Sequence, residues 1–328
     1  MSDRTRPRAC AECLRRSWLI GSLVGHIDKA ADATPGSRAH ELLALPDEEL
    51  ARALARSNAR SLIARAREHD PDALRAAVSG AGAWASCPHD ALHPVSLGDL
   101  GDPPASLFWR GDPSLLRALD PAETVTIVGS RRPSRHGRDL ARSLALEVAA
   151  AGLPVVSGMA MGIDAAAHEG ALGAGGLTVA VLGSGVNVPY PPRSSSLYEE
   201  IVERGLVLSE LPPGTTARRW TFPARNRIMA ALGRMTVVVE ARERSGSLIT
   251  ATMAEELNRE VGAVPGRVGS SPAAGTNALL HDGAHVIRGG RDVLDALIGP
   301  GAGRDRIATR RGPAVEAELA AVLDLIER

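Results

Sequence analysis

Lysine is almost absent from this chain: Lys29 is the single lysine among 38 basic residues. Anion contacts must therefore use guanidinium groups or backbone N–H donors rather than a flexible ammonium. Aromatic residues are also scarce, at 2% of the chain, so any stacking surface falls to a few rings. Three cysteines in 328 residues do not make a disulfide framework. No apolar run is long enough to cross a membrane as a helix, so no membrane association is expected. The basic stretch Met1 to Cys10 is not followed by an apolar segment, so a secretory leader is not expected and a cytoplasmic location is. Acidic and basic residues balance at 38 each, so no global field draws in a polyanion.

Locally the charge is uneven. Arg131, Arg132, Arg135, Arg138 and Arg142 share their segment with one acid, Asp139. Arg218, Arg219, Arg225, Arg227 and Arg234 lie in the stretch from Leu211 to Val239, which holds no acid. Two such clusters in a neutral chain suit a polyanion bound at one face, although a charge run is commonly only a solvated surface.

Three regions follow from composition and pattern. Residues 1–91 read as a small helical domain, with helices over 11–31 and 47–67 and no β-rich stretch. In the second helix Asp47 is a plausible N-cap, and Leu50, Leu54, Leu62 and Ala66 fall near one face. Residues 92–299 begin with a proline-punctuated entry segment and one short strand near Ser106 to Trp109. From Thr124 onward, short apolar runs alternate with helical patterns. The runs are Val125–Val128, Pro154–Val156, Thr178–Leu182, Leu206–Leu208, Thr236–Val239, Ala263–Val264 and His285–Ile287. Runs that are apolar throughout suit strands buried on both faces. Their alternation with helices predicts an extended Rossmann-like, doubly wound α/β domain with a mostly parallel sheet. Its first helix should run from Ser134, as cap, to about Ala151, with Gly152 ending it. Residues 300–328 read as a linker and a single helix, Ala314 to Glu327, without a complete C-terminal winged helix.

The loops that close these strands carry the chemistry. In a parallel sheet they gather at one edge, over the carboxyl ends. Gly129, Ser130, Arg131, Arg132 and Ser134 follow the first strand; Ser157 and Gly158 follow the second; Gly183 and Ser184 follow the third. Glycine permits close backbone approach, helix N-termini add partial positive charge, and the hydroxyls can donate to phosphate oxygens. Arg225, Asn226 and Arg227 sit at a further helix start, and Ser245, Gly246 and Ser247 open another, as helix cap or phosphate ligand. Neither the Gly-x-Gly-x-x-Gly fingerprint nor a P-loop is present, which argues against dinucleotide and ATP. No hydrolytic constellation stands out: His168 reads as structural, and Asp164 as the cap of its helix.

Taken together these motifs resemble the DNA-processing protein A (DprA/Smf) family. The match is carried by Val128-Gly129-Ser130-Arg131, by Ser157 to His168, by Val181-Leu182-Gly183 and by Tyr190-Pro191-Pro192. It continues through Phe222 to Ile228, Glu243 to Thr250, Val264-Pro265-Gly266 and Gly275 to Leu280, covering roughly residues 92–295. Met161 departs from it, standing where the family has arginine, as do Ser194 and Ser195, near which the family carries asparagine and basic residues. The resemblance implies a homodimer that binds single-stranded DNA without turnover and needs no cofactor. It further implies that incoming strands are protected and RecA recombinase is loaded onto them during natural transformation. By that analogy Arg131 is the central phosphate contact, and Tyr190, Trp220 and Phe222 are the rings available to stack on bases. The alternatives are a nucleotide-processing hydrolase or a nucleotide-sensing module on the same superfold. The Pro-Gly-Gly-x-Gly-Thr-x-x-Glu motif of the lysine-decarboxylase-like phosphoribohydrolases is missing from Arg244 to Thr250, which favours binding.

One further pattern is independent of that resemblance. Cys10-Ala11-Glu12-Cys13 and Cys87-Pro88-His89 together offer four ligands of zinc type, Cys10, Cys13, Cys87 and His89. A structural zinc there would tie the N-terminal tail to the domain junction.

Overall fold

The computed structural model describes residues 8–33, 39–119, 122–302 and 306. The C-terminal helix expected over 314–327 lies outside the described residues.

The N-terminal region is helical, as expected: α1 (Ala11–Ala33), α2 (Asp47–Ala55), α3 (Ala59–Glu68) and α4 (Pro71–Gly80). Leu19, Leu23, Val24 and Ile27 of α1 pack against Leu43, Leu50, Ala55 and Ala66. The single helix expected over 47–67 is two. The chain breaks at Arg56, in the left-handed region at φ 46°, and passes through a short 3-10 turn, Arg56–Asn58. Ser57 and Asn58 are weak helix formers whose side chains compete for backbone bonds, and the break lets both halves face α1. Pro46, not Asp47, occupies the cap position, and Asp47 is the first helical residue.

The remainder is one nine-stranded sheet flanked by helices on both faces. Its strands are β1 (Trp84–Ser86), β2 (Leu107–Gly111), β3 (Val125–Val128), β4 (Val155–Ser157), β5 (Thr178–Val181), β6 (Leu206–Ser209), β7 (Met235–Val238), β8 (Glu260–Ala263) and β9 (His285–Val286). The order is β1-β2-β6-β5-β4-β3-β7-β8-β9. From β6 to β9 all neighbours are parallel; β1–β2 and β2–β6 are antiparallel. Strand β1 was not expected. It is three residues long, without a run of β-branched side chains, and it brings part of the predicted helical domain into the sheet.

Both faces of the sheet are covered, which is why its strands are apolar throughout. Val125, Ile127 and Val155 pack against Leu144 and Val148 of α6 (Arg135–Ala150), Ala166 and Ala167 of α7 (Ile163–Gly173), and Val293 and Leu294 of α12 (Gly290–Ile298). On the opposite face, Val128, Val156, Val181 and Val238 meet Ile228 and Met229 of α9 (Thr221–Leu232) and Ala251 of α10 (Gly246–Glu256). Helix α8 (Ser195–Arg204) buries Tyr198 and Ile201 against Ala180 and Val207, and two short helices, α5 (Pro113–Leu116) and α11 (Ala274–His281), complete the numbering. Ser134 caps α6 by accepting from Gly137 N at 3.0 Å, and Gly152, at φ 89°, carries the chain away from its end.

The crossovers leave β3 in opposite directions, β4 on one side and β7 on the other. That reversal opens a crevice above the carboxyl ends of β3 and β7, the usual ligand position in such sheets.

Candidate nucleic-acid interface

The crevice is a cleft of about 510 Å³, lined by Gly129 and Arg131 after β3, by Phe222, Arg225 and Asn226 of α9, and by Ser245, Gly246 and Ser247 at the start of α10. A smaller hollow of about 110 Å³ adjoins it, formed by Gly158, Met161, Gly183, Tyr190, Arg193 and again Arg131, Phe222 and Arg225. Most of the predicted loop residues therefore do meet at one edge of the sheet.

Arg131 forms the wall between the two hollows. Its side chain is exposed, and among the described residues no carboxylate pairs with it. The guanidinium lies over the Phe222 ring, 5.2 Å from its centroid. Phe222 in turn packs against Tyr190, with centroids 5.3 Å apart and planes tilted by 46°. Tyr190 is 45% exposed. A cation and two rings thus stand together at the mouth of a cleft. The third ring named from the sequence, Trp220, is core: it is buried, and its Nε1 donates to Val24 O at 3.1 Å.

Beneath this wall lies Arg225. Its guanidinium is buried, and Nη1 donates to Val181 O at 3.0 Å. Burial lowers its pKa to about 10, partly countered by the nearby Asp164 carboxyl. Gly158 exists to admit it: a Cβ there would sit 1.4 Å from Arg225 Nη1. Asp164 is itself buried, and that burial pushes its carboxyl upward against the pull of Arg225 and Arg131. It accepts from Ala160 N at 3.3 Å and so ties down the β4–α7 loop; Gly162 holds the cap position expected for it.

Several predicted phosphate ligands are committed elsewhere. Ser157 Oγ is buried and donates to Ile127 O at 2.6 Å; Ser184 Oγ donates to Val188 O at 2.6 Å. Ser134 lies at the N-terminus of α6, where an anion was expected, and an anion is there: the Glu240 carboxylate. Ser134 Oγ donates to Glu240 Oε2 at 2.6 Å, and Ser134 N lies 3.1 Å from both carboxylate oxygens. A neighbouring bond, Ser130 N to Glu240 O at 2.7 Å, fixes the β3 loop to β7.

Arg227 is the clearest correction. It is turned away from the cleft and buried. Its Nη1 and Nη2 donate to Glu210 Oε1 and Oε2 at 2.9 and 2.7 Å, and Nε lies 2.9 Å from Asp102 Oδ2. Asp102 also meets His40 Nδ1 at 3.0 Å. Charge spacing alone could not separate Arg225 from Arg227, since their acid partners are far away in sequence. Asn226 is also buried, with Nδ2 donating to Gly246 O at 3.3 Å. Ser245 caps α10, and its Oγ lies 2.8 Å from Ser247 Oγ. Arg132 is exposed beside Arg131, its N–H donating to Ser130 Oγ at 3.1 Å. One lining arginine was missed, Arg193, although it directly follows the Tyr190-Pro191-Pro192 motif; Arg219, named in the second basic cluster, lines the larger cleft. Cys10, Cys13, Cys87 and His89 also come together, at the start of α1 and the loop after β1.

The nine-stranded sheet, with arginine and aromatic groups gathered at its topological switch point, defines a protein of the doubly wound α/β class. More narrowly, the chain belongs to the DNA recombination-mediator protein A family, whose pattern matches residues 84–298. The match begins at the first residue of β1. Protein Smf of Synechocystis is 40% identical over 210 residues, which cover 64% of this chain and 53% of that protein. The chain thus spans about half the length of this relative. The crystal structure of DNA processing protein A from Streptococcus pneumoniae superposes with a TM-score of 0.68 at 32% identity, covering 87% of this chain and 96% of that one. The protein from Helicobacter pylori, whose structure describes its single-stranded DNA binding mode, superposes at 0.57 and 32% identity, covering 62% of this chain and 92% of that one. Among the described residues no helix is long and apolar enough to cross a membrane.

Proposed function

We propose that this chain binds single-stranded DNA along the loops at the carboxyl edge of its sheet, and does so without turnover. The observation that carries this reading is the Arg131 guanidinium standing over Phe222, with Tyr190 packed beside it. An unpaired guanidinium is a bidentate phosphate ligand. Rings beside it offer faces on which unpaired bases stack with little regard to sequence. Arg225 adds positive potential from below, and Arg132, Arg193 and Arg219 extend it along the edge.

The commitments of two acids, Asp164 in the cleft and Glu240 beside it, favour binding over hydrolysis. Glu240 is held by the α6 N-terminus, and Asp164 is turned into the β4–α7 loop, so neither is poised as a general base. Single-stranded DNA binding by the Helicobacter pylori relative supports the choice of ligand. Family membership supports the wider role: protecting incoming strands in transformation and, as a homodimer, handing them to the RecA recombinase.

Fluorescence anisotropy with a labelled oligonucleotide tests the reading. Single-stranded DNA is expected to bind with little sequence preference, and binding should weaken steeply as salt rises. No binding at low salt, or equal binding of a matched duplex, would overturn it.

A further inference from the structure

The start of α1 and the turn after β1 place three sulfurs and one imidazole nitrogen around a common point. Cys10 Sγ, Cys13 Sγ and Cys87 Sγ each lie 3.6 Å from His89 Nδ1. All four atoms fall within 4.8 Å of one another. We propose that this cluster is a structural Cys3His zinc site.

The equal distances are the strongest argument. One imidazole Nδ1 has a single lone pair or a single hydrogen, so it can take part in one good hydrogen bond, not three. Three thiols converging on it at the same distance is not a hydrogen-bonding arrangement. It is the arrangement a tetrahedral metal produces. With zinc–sulfur and zinc–nitrogen bonds of about 2.3 and 2.05 Å, tetrahedral geometry sets each sulfur about 3.6 Å from the nitrogen. The three cysteines carry no disulfide.

The surroundings fit thiolates as well. Cys10 N lies 3.4 Å from Cys87 Sγ, and Cys13 N lies 3.5 Å from Cys10 Sγ, both as donors. Backbone N–H groups aimed at sulfur steady a coordinated thiolate. The backbone around the ligands is also fixed: Ala9 N donates to Ala85 O at 2.9 Å, and Asp90 N to Cys87 O at 2.8 Å. Four closed protein ligands leave no open position, so the site is structural rather than catalytic.

Its place in the fold gives it a task. The surrounding core is small, built from Leu14, Leu74, Val78, Ala85, Phe108 and Val186. A metal there clamps the first turn of α1 to β1, the edge strand of the sheet. Much of the energy of binding the metal then becomes energy of folding.

The test is metal analysis of the full chain, purified without metal-affinity resin, reduced, incubated with zinc and desalted. About one zinc per chain is expected. Cobalt in place of zinc should give the visible d–d bands of a tetrahedral site together with sulfur charge-transfer absorption. Stripping the metal with a chelator should lower Tm, and returning zinc should restore it. Cys13→Ser and His89→Ala should each lose most of the zinc; because these variants could misfold, the cobalt spectrum and reversible stripping of the unaltered chain stand as independent readings. A reduced, folded chain that retains no zinc, or whose cobalt spectrum lacks sulfur charge transfer, overturns the proposal. None of these readings depends on DNA binding.

Discussion

The guanidinium of Arg131 stands 5.2 Å from the centre of the Phe222 ring, and that contact orders the exposed edge of the cleft. Cation–π attraction to a ring face consumes none of the guanidinium's N–H donors, so they remain free for phosphate. Arg131→Ala should therefore weaken single-stranded DNA binding, and it should do so in a particular way. One lost phosphate contact makes the slope of log affinity against log salt shallower by about 0.7. Anisotropy titrations at several salt concentrations check this. An affinity within about twofold of the unaltered protein would remove Arg131 from the interface.

The Tyr190–Phe222 pair makes a separable prediction. Phe222→Leu keeps apolar bulk but removes the π-face, and it should cost about 1–3 kcal/mol of binding if one base stacks there. That corresponds to roughly 5- to 150-fold in Kd. The salt slope should not change, because no phosphate contact is lost. A variant that weakens binding and also makes the slope shallower by about 0.7, as Arg131→Ala should, would show that the ring serves only to place Arg131.

Arg227 should behave as a structural residue. Its guanidinium neutralises Glu210 and Asp102 in a buried network that also reaches His40. Arg227→Met leaves Glu210 buried without a counter-charge and Asp102 with His40 alone, which costs about 3–5 kcal/mol. Urea denaturation measures that loss. Folded variant protein should bind DNA with an unchanged salt slope, unlike Arg131→Ala.

The contrast between these arginines marks what the sequence could and could not reveal. Strands β3 to β7 were legible because burial on both faces writes an uninterrupted apolar run. The switch-point loops were legible because glycine and serine cluster where such strands end. Strand β1 was not, since Trp84, Ala85 and Ser86 owe their extended form to pairing with β2. Arg225 and Arg227 look alike in sequence, and only the fold decides that one meets Val181 and the other Glu210. Glu240 was the least visible. Nothing local says that its carboxylate will cross to the start of α6 and take the anion position there. The four Cys and His residues were legible as a set by type, but their meeting depends on α1 returning to β1.

Acid sensitivity follows from His168. The imidazole is fully buried in α7, and its Nδ1 lies 2.7 Å from Thr178 Oγ1. That hydroxyl donates its own hydrogen to Val155 O at 3.1 Å, so Nδ1 carries the proton and donates to it. Protonating Nε2, which is buried without a partner among the described residues, would place a charge in the core. Burial, reinforced by the Arg225 charge, pushes the pKa down from 6.5 to about 3. The unfolded chain therefore binds a proton that the native chain refuses as pH falls below 6.5. Native stability is lost progressively from there down to about pH 3, with a slope approaching about 1.4 kcal/mol per pH unit. His93, whose pKa burial lowers to about 4, adds a parallel contribution. His168→Gln removes the titrating group while retaining a donor for Thr178. Its stability should fall less steeply with acid than that of the unaltered chain, leaving the part due to His93 and the carboxylates. Denaturation at a series of pH values checks this, and identical slopes below pH 6.5 would show that His168 is not the group that titrates.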